Sequence, residues 1–108
     1  MASVAKGDIR LYQFAAPDKR RPVVVLTRDS AVSYLSTVTV APVTSTIRGT
    51  PSEVLLDEED GMKSPCAVNL HHAVTVSQQR LGKRVARLGP RRMNEICSAL
   101  RFSLGCEL

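Results

Sequence analysis

Arg20-Arg21-Pro22-Val23-Val24-Val25-Leu26 is the stretch from which the rest of the chain is read. Four consecutive apolar residues, Val23 to Leu26, are mostly β-branched, and a short run of this kind suits a strand buried on both faces. Pro22 opens that strand, where its missing backbone N–H removes nothing essential from a ladder. Two arginines stand directly before it. Arg21 therefore sits at the mouth of a buried strand, on a backbone stiff enough to aim a guanidinium.

Upstream, Gly7 to Phe14 (GDIRLYQF) reads as a first strand, with Ile9, Leu11 and Gln13 on one face and Tyr12 and Phe14 on the other. Ala15 to Arg21 links the two strands through Pro17-Asp18, a turn signal followed by three positive charges, Lys19, Arg20 and Arg21. Downstream, Val38 to Thr44 (VTVAPVT) is the next strand, and Pro42 within it marks an edge or a bulge. A hydroxyl-rich loop, Thr44 to Thr50, leads out of it. Val54-Leu55-Leu56 is a further strand. It runs into the acidic knot Asp57-Glu58-Glu59-Asp60, expected as a solvated loop ending at Gly61. Cys66 to Leu70 and Ala73 to Val76 read as two short strands, Ser77 to Leu81 as a helical turn capped by Ser77, and Arg84 to Leu88 as a last strand.

The clearest helix closes the chain. Pro90 suits a first helical position. Met93, Ile96, Cys97, Leu100 and Leu104 recur at three- and four-residue spacing, while Arg91, Arg92, Asn94, Glu95 and Arg101 take the opposite face and Gly105 is a natural stop. The spacing predicts one mainly β (α+β) domain over residues 1–108. Its architecture is a small, strongly curved barrel of roughly six short strands with a C-terminal helix over an open end. The same helix is equally suited to a dimer interface.

Composition narrows the function classes. Among 108 residues, 15 Lys and Arg against 10 Asp and Glu leave a net charge of +5, which favours a polyanionic partner. The positive charge is clustered at Lys19-Arg20-Arg21, at Arg80, Lys83, Arg84 and Arg87, and at Arg91-Arg92. No apolar run approaches the roughly 20 residues needed to span a bilayer, and the first residues lack the apolar stretch of a secretory signal. Three cysteines, Cys66, Cys97 and Cys106, fall at no metal-ligand spacing, so reduced thiols in a cytoplasm are expected. Glycine-rich phosphate loops, HExxH, Cys-x-x-Cys and Gly-x-Ser-x-Gly are all absent. A zinc set of Cys66, His71 and His72 is disfavoured, because adjacent histidines of a strand point to opposite faces.

What remains is a phosphate-directed set. Arg21 precedes the buried strand, and Thr44, with Ser45 and Thr46, ends the neighbouring one. A guanidinium forks onto a phosphate with two hydrogen bonds and a hydroxyl adds a third. RNA carries its own nucleophile in the 2′-hydroxyl, so cutting it requires only in-line positioning and stabilisation of phosphoryl charge. The bland alternative is that Arg21 is a solvated charge and Thr44 an ordinary strand residue.

These residues also carry a family likeness. Gly7-Asp8-Ile9, Arg20-Arg21-Pro22-Val23-Val24-Val25-Leu26 and Val40-Ala41-Pro42-Val43-Thr44-Ser45, followed by Leu81 to Leu88 and the final helix, resemble in order and spacing the signatures of the MazF/PemK ribonuclease toxins. The resemblance runs from about Lys6 to Leu104. It implies an SH3-like (CcdB/MazF-type) barrel acting as a homodimer in the cytoplasm. The implied activity is cofactor- and metal-independent, sequence-specific cleavage of single-stranded RNA, leaving a 2′,3′-cyclic phosphate and a 5′-hydroxyl and inhibiting translation and growth. A cognate antitoxin would block the RNA groove with an extended acidic segment. The catalytic pair falls on Arg21 and Thr44, and the RNA-binding surface on Lys19, Arg20, Ser45, Thr46, Arg48, Asn69, His71 and His72. A guanidinium is a poor base, so charge stabilisation suits Arg21 better than proton transfer, and His71 or His72 is the candidate base. The loop from Ala15 to Arg20 is shorter than in many members and lacks their glycine-containing stretch. With only Tyr12, Phe14, Tyr34 and Phe102 as aromatics, base edges are expected to be read mainly by hydrogen bonds. Two rivals share the fold: a CcdB-like poison of DNA gyrase, and a basic SH3-like module that holds RNA without cutting it.

Overall fold

Val23, Val24 and Val25 are fully buried, as a continuous apolar run in a central strand requires. The computed structural model describes residues 4–15 and 19–106. Among these, the strands are β1 (Asp8–Gln13), β2 (Arg20–Val25), β3 (Thr37–Thr44), β4 (Glu53–Leu56), β5 (Cys66–Asn69), β6 (Val74–Ser77) and β7 (Arg84–Arg87), with helices α1 (Asp29–Val32) and α2 (Pro90–Leu104). All seven segments with a strand pattern are strands. The Pro17-Asp18 turn lies outside the described residues. The short helix α1 went unread because four residues are too few to show a helical period. No helix among the described residues is long and apolar enough to cross a membrane.

The sheet is antiparallel throughout, in the order β4-β5-β3-β2-β1-β7, with β6 added beside β3. It curls into a half-barrel with a core on each face. Val24 joins Ile9, Ala41, Val43, Val54, Leu56 and Val68 in an inner cluster that α2 covers with Ile96 and Ala99. Val23 and Val25 point the other way, into a second cluster with Val32, Val38, Val40, Val76 and Leu81, against which Tyr12 and Phe14 pack. Full burial of each such side chain contributes roughly 1.5–3 kcal/mol, which is why β2 is the immobile centre.

The edge of β3 away from β2 serves two partners. Thr37 to Val40 pair with β6, and Val43 and Thr44 with β5. The pairing partner jumps from Val74, opposite Val40, to Val68, opposite Val43. The surplus residues bulge out as a 3-10 turn, Leu70–His72. Pro42 lies at this gap, where its lack of an N–H leaves no donor stranded. It marks a bulge in the middle of the sheet, and not an edge.

Four details depart from the expected pattern. The acidic knot is solvated only at Glu58 and Glu59, and it is an ordered turn: Asp57 and Asp60 form a reciprocal capping box around a 3-10 turn, Glu58–Asp60. Gly61 follows at φ +88, and a Cβ there would stand 3.1 Å from the Ala86 Cβ, so only glycine lets this turn close against β7. Arg92 is not on a solvated helix face: its Nε donates to Asp60 Oδ1 at 3.1 Å and its Nη1 to Glu95 Oε1 at 3.1 Å. Burial works against the Asp60 carboxylate, but hydrogen bonds from Arg92 and the Asp57 N–H, with the charges of Arg92 and Arg91, hold its pKa below the ordinary value. Leu104 leaves the apolar stripe and is exposed, the helix instead burying Ile96 and Ala99 with Met93 and Leu100 beside them. Ser77 makes no capping bond, and the turn after it is tied down by Gln78 Nε2 donating to the Val32 and Leu35 carbonyls at 2.8 and 2.7 Å.

Candidate active site

The register of β2 against β3 decides where the candidate residues meet. Paired positions are Val23 with Pro42, Val24 with Ala41 and Val25 with Val40. The ladder ends at Val23 and Pro42, and Arg21 and Thr44 each lie two residues beyond that pair, on the same end of the two strands. Parity then sets the face: Arg21 alternates with Val23 and Thr44 with Pro42, so both side chains leave the sheet on the outer side. On its other flank Arg21 pairs with Tyr12 of β1, and Thr44 pairs with Ala67 of β5.

Arg21 and Thr44 line one cleft of about 440 Å³ together with Lys19, Arg20, Ser45 and Thr46. Met62, Ser64 and Cys66 form its far wall. A second hollow is lined by Phe14, Arg21, Pro42, His72 and Val74. A third gathers Arg48, Asn69, His71 and His72 with Thr50, Ser52 and Glu53. Arg21 borders the first two and His72 the last two, so the three hollows lie side by side as a track. Each of the ten sequence-selected residues lines at least one of them.

Several local bonds orient these groups. Thr44 Oγ1 accepts the Thr46 N–H at 3.1 Å, which leaves the hydroxyl hydrogen free to donate outward. Asn69 Oδ1 accepts the His71 N–H at 3.0 Å, which fixes the amide with Nδ2 toward His72 Nδ1, 3.2 Å away. Nδ2 can only donate, so His72 Nδ1 accepts and its neutral ring carries the proton on Nε2. The histidines sit in a 3-10 turn and not on a strand, so they do not point to opposite faces: their ring centroids are 5.6 Å apart.

Positive charge predominates along the track, where Glu53 is the one carboxylate among the described lining residues. Among the described residues Arg10, Arg87, Arg91 and Arg92 pair with carboxylates, whereas Lys19, Arg20, Arg21 and Arg48 do not. No group of three His, Cys, Asp or Glu side chains among the described residues is placed to hold a metal. Cys66 is buried, and burial first, then the Asp60 and Asp57 charges, pushes its thiol pKa up, which keeps it a neutral wall residue.

Sequence reading missed Phe14, Glu53, Met62 and Ser64. Phe14 had a signal, since it alternates with Tyr12 onto the face that Arg21 shares. Glu53 had none: its carboxylate accepts the N–H groups of Arg48 and Gly49 at 3.0 and 2.8 Å, a loop cap that only the folded backbone reveals.

A curved antiparallel half-barrel with a cationic cleft and a donating hydroxyl defines a small basic β domain whose cleft is suited to a polyanion. Residues 5–104 match the model of the PemK-like, MazF-like toxins of type II toxin-antitoxin systems, and the chain belongs to that family. A probable endoribonuclease MazF5 of Mycobacterium tuberculosis is 47% identical over 104 residues, covering 95% of this chain and 94% of that protein. The solved Mycobacterium tuberculosis toxin MazF-mt6 superposes with a TM-score of 0.85 at 31% identity, over 94% of this chain and 99% of that one. An endoribonuclease in complex with its cognate antitoxin, from a mycobacterial species, shares the fold at a TM-score of 0.87 and 21% identity, over 98% of this chain and 99% of that one.

Proposed function

We propose that this chain, as one domain over residues 1–108, is the toxin of a type II toxin-antitoxin pair and a metal-independent endoribonuclease for single-stranded RNA. The observation that carries the mechanism is the convergence of Arg21 and Thr44 on one cationic cleft at adjoining strand ends. A phosphodiester seated there receives a forked pair of hydrogen bonds from Arg21 and a third from the Thr44 hydroxyl. The neighbouring 2′-oxygen attacks phosphorus in line, the bond to the 5′-oxygen breaks, and the products are a 2′,3′-cyclic phosphate and a 5′-hydroxyl. Charge on the equatorial oxygens grows during the step, so fixed donors bind the transition state more tightly than the substrate. Lys19, Arg20, Ser45, Thr46 and Arg48 hold the flanking backbone.

The 2′-proton needs an acceptor. With its Nδ1 engaged by Asn69, neutral His72 presents Nε2–H, a donor; His71 beside it is the candidate base. The cytoplasm is the expected compartment, a homodimer the expected assembly, and the antitoxin an acidic segment competing for the same unpaired cations.

The test is incubation of purified protein with a long single-stranded RNA in EDTA. Discrete cuts bearing cyclic phosphate ends are expected, and they vanish with Arg21→Ala. Retention of RNA without cuts would make the chain a binding module. Neither retention nor cuts would point to a target such as gyrase.

A further inference from the structure

We propose that the hollow bounded by β1, α1 and the 3-10 turn Gln78–Arg80 is a docking site for an extended segment of a protein partner. The segment presents a carboxylate beside an apolar side chain, and Arg10 is its anchor. The hollow shares no lining residue with the RNA track and does not depend on the nuclease reading.

Three observations converge on this partner. The first is a surplus of buried charge. Asp8, fully buried, faces two guanidinium groups, Arg87 at 2.9 Å and Arg10 at 3.6 Å, so the trio carries a net positive charge. The Arg10 side chain is only 10% exposed, and an unbalanced charge held that deep is costly until a partner neutralises it. Its Nε donates to the Gly82 carbonyl at 2.7 Å. Neither Nη makes a hydrogen bond among the described residues, yet no buried side-chain nitrogen or oxygen there lacks a partner. The fork therefore opens onto the hollow that Arg10 lines, where the two oxygens of a carboxylate match it. Asp29, the one carboxylate lining the hollow, is exposed, makes no ion pair with Arg10, and accepts the Lys6 N–H on Oδ1 at 2.7 Å. The second observation is the apolar wall. The hollow holds about 830 Å³ and is lined by Val4, Val32, Leu35 and Leu81, which accommodates an aliphatic side chain next to the carboxylate. Gln78 Nε2, bonded to the Val32 and Leu35 carbonyls, fixes this wall in advance, so binding has little ordering left to do. The third is the lip. Tyr34 is 87% exposed and Leu35 48%, an apolar surface that runs on past the hollow and that a small molecule inside it would leave in water. Tyrosine and arginine are the residue types that anchor protein contacts.

The probe is the peptide acetyl-Leu-Glu-Leu-amide, with the neutral isostere acetyl-Leu-Gln-Leu-amide as control, each titrated into the isotope-labelled full chain and followed by backbone amide shifts. Binding of the acidic probe with a Kd of about 1 mM or tighter is expected, with the largest shifts at Ser33, Leu35, Gln79 and Leu81. The neutral control should bind about tenfold more weakly, because it loses a charge-assisted pair. Ser33→Trp, at an exposed lining position, should fill the mouth and cost about tenfold in affinity while cutting RNA at the wild-type rate. Arg10→Gln should bring the acidic probe down to the affinity of the control. A thermal melt checks that this variant folds, and if it does not, the probe pair and Ser33→Trp decide. Equal affinity of the two probes, full binding to Ser33→Trp, or shifts centred on Arg21 and Thr44 overturn the site. So does the absence of any shift at about 10 mM acidic probe. Free isocaproate, an aliphatic carboxylate without a peptide, should bind more weakly than the acidic probe; equal binding makes the hollow a small-carboxylate pocket and overturns the protein partner. Loss of cutting in Ser33→Trp would place the hollow on the substrate path and overturn its independence. A wild type that binds the acidic probe and never cuts RNA sinks the nuclease alone and leaves the docking site.

Discussion

Thr44→Val removes one hydroxyl and almost no volume, which makes it the sharpest probe of the site. The hydroxyl makes one bond in the free protein, accepting the Thr46 N–H at 3.1 Å. Thr46 is exposed, so water replaces that bond, and the loss is about 0.5–1 kcal/mol at most. Valine is at least as good a strand residue as threonine, which offsets part of it. The expected fall in Tm is therefore no more than about 6 °C. Catalysis is affected far more. A hydrogen bond to a charged group contributes about 1.5–3 kcal/mol, and each 1.4 kcal/mol is a factor of ten, so kcat/KM should drop roughly 10- to 150-fold. Initial rates on a short fluorogenic RNA give the kinetic arm, and a circular-dichroism melt the stability arm. Thr44→Ser, which restores the hydroxyl, should recover most of the rate. Unchanged kinetics in the valine variant would remove Thr44 from the mechanism. A rate lost in Thr44→Ser as well would assign the effect to packing.

Three further outcomes are expected. Arg21→Ala should reduce cleavage by at least about 10²–10³-fold with the fold intact, and Arg21→Lys should rescue little because an ammonium has no fork; a lysine variant cutting at wild-type rate would refute the bidentate arrangement. Asp60 has a folded pKa below its unfolded value near 3.9, so its stabilising contribution is present above about pH 4 and lost as pH falls through the folded pKa. Urea midpoints between about pH 2.5 and 7 should drop less steeply at the acid end in Asp60→Asn than in wild type, and equal slopes would show that the Arg92 link contributes nothing. Asp8 is fully buried, accepts Arg87 Nε at 2.9 Å and the Ala5 N–H at 3.1 Å, and lies 3.6 Å from the buried Arg10 Nη1. Asp8→Ala should cost about 3 kcal/mol of stability by stranding Arg10, read as a lowered urea midpoint; an unchanged midpoint would mean that water reaches the guanidinium.

Much of the fold was legible because strand patterns are local. Val23 to Leu26 can bury on both faces only in a central strand, Ile9 and Tyr12 differ by odd parity, and Pro90 and Gly105 bracket the helix wherever it packs. What failed in each case depended on a distant partner. Arg92 reads as solvated until Asp60, 32 residues away, folds against it. His71 and His72 read as strand residues because nothing nearby announces that β5 and β6 must share β3 with a three-residue surplus. Asp8 and Arg10 drew no reading from the spacing of the first strand, although both are buried.

By itself the amino-acid order determined the strands, the covering helix, the surplus of positive charge and the parity of each side chain, since these follow from spacing of two or 3.6 residues along one segment. Tertiary structure alone decided which residues stand across from which. The offset between two strands is a free integer until cross-strand packing selects it. The value that buries Val23, Val24 and Val25 against Pro42, Ala41 and Val40 is the one that leaves Arg21 and Thr44 at the same end of the two strands, beside one cleft.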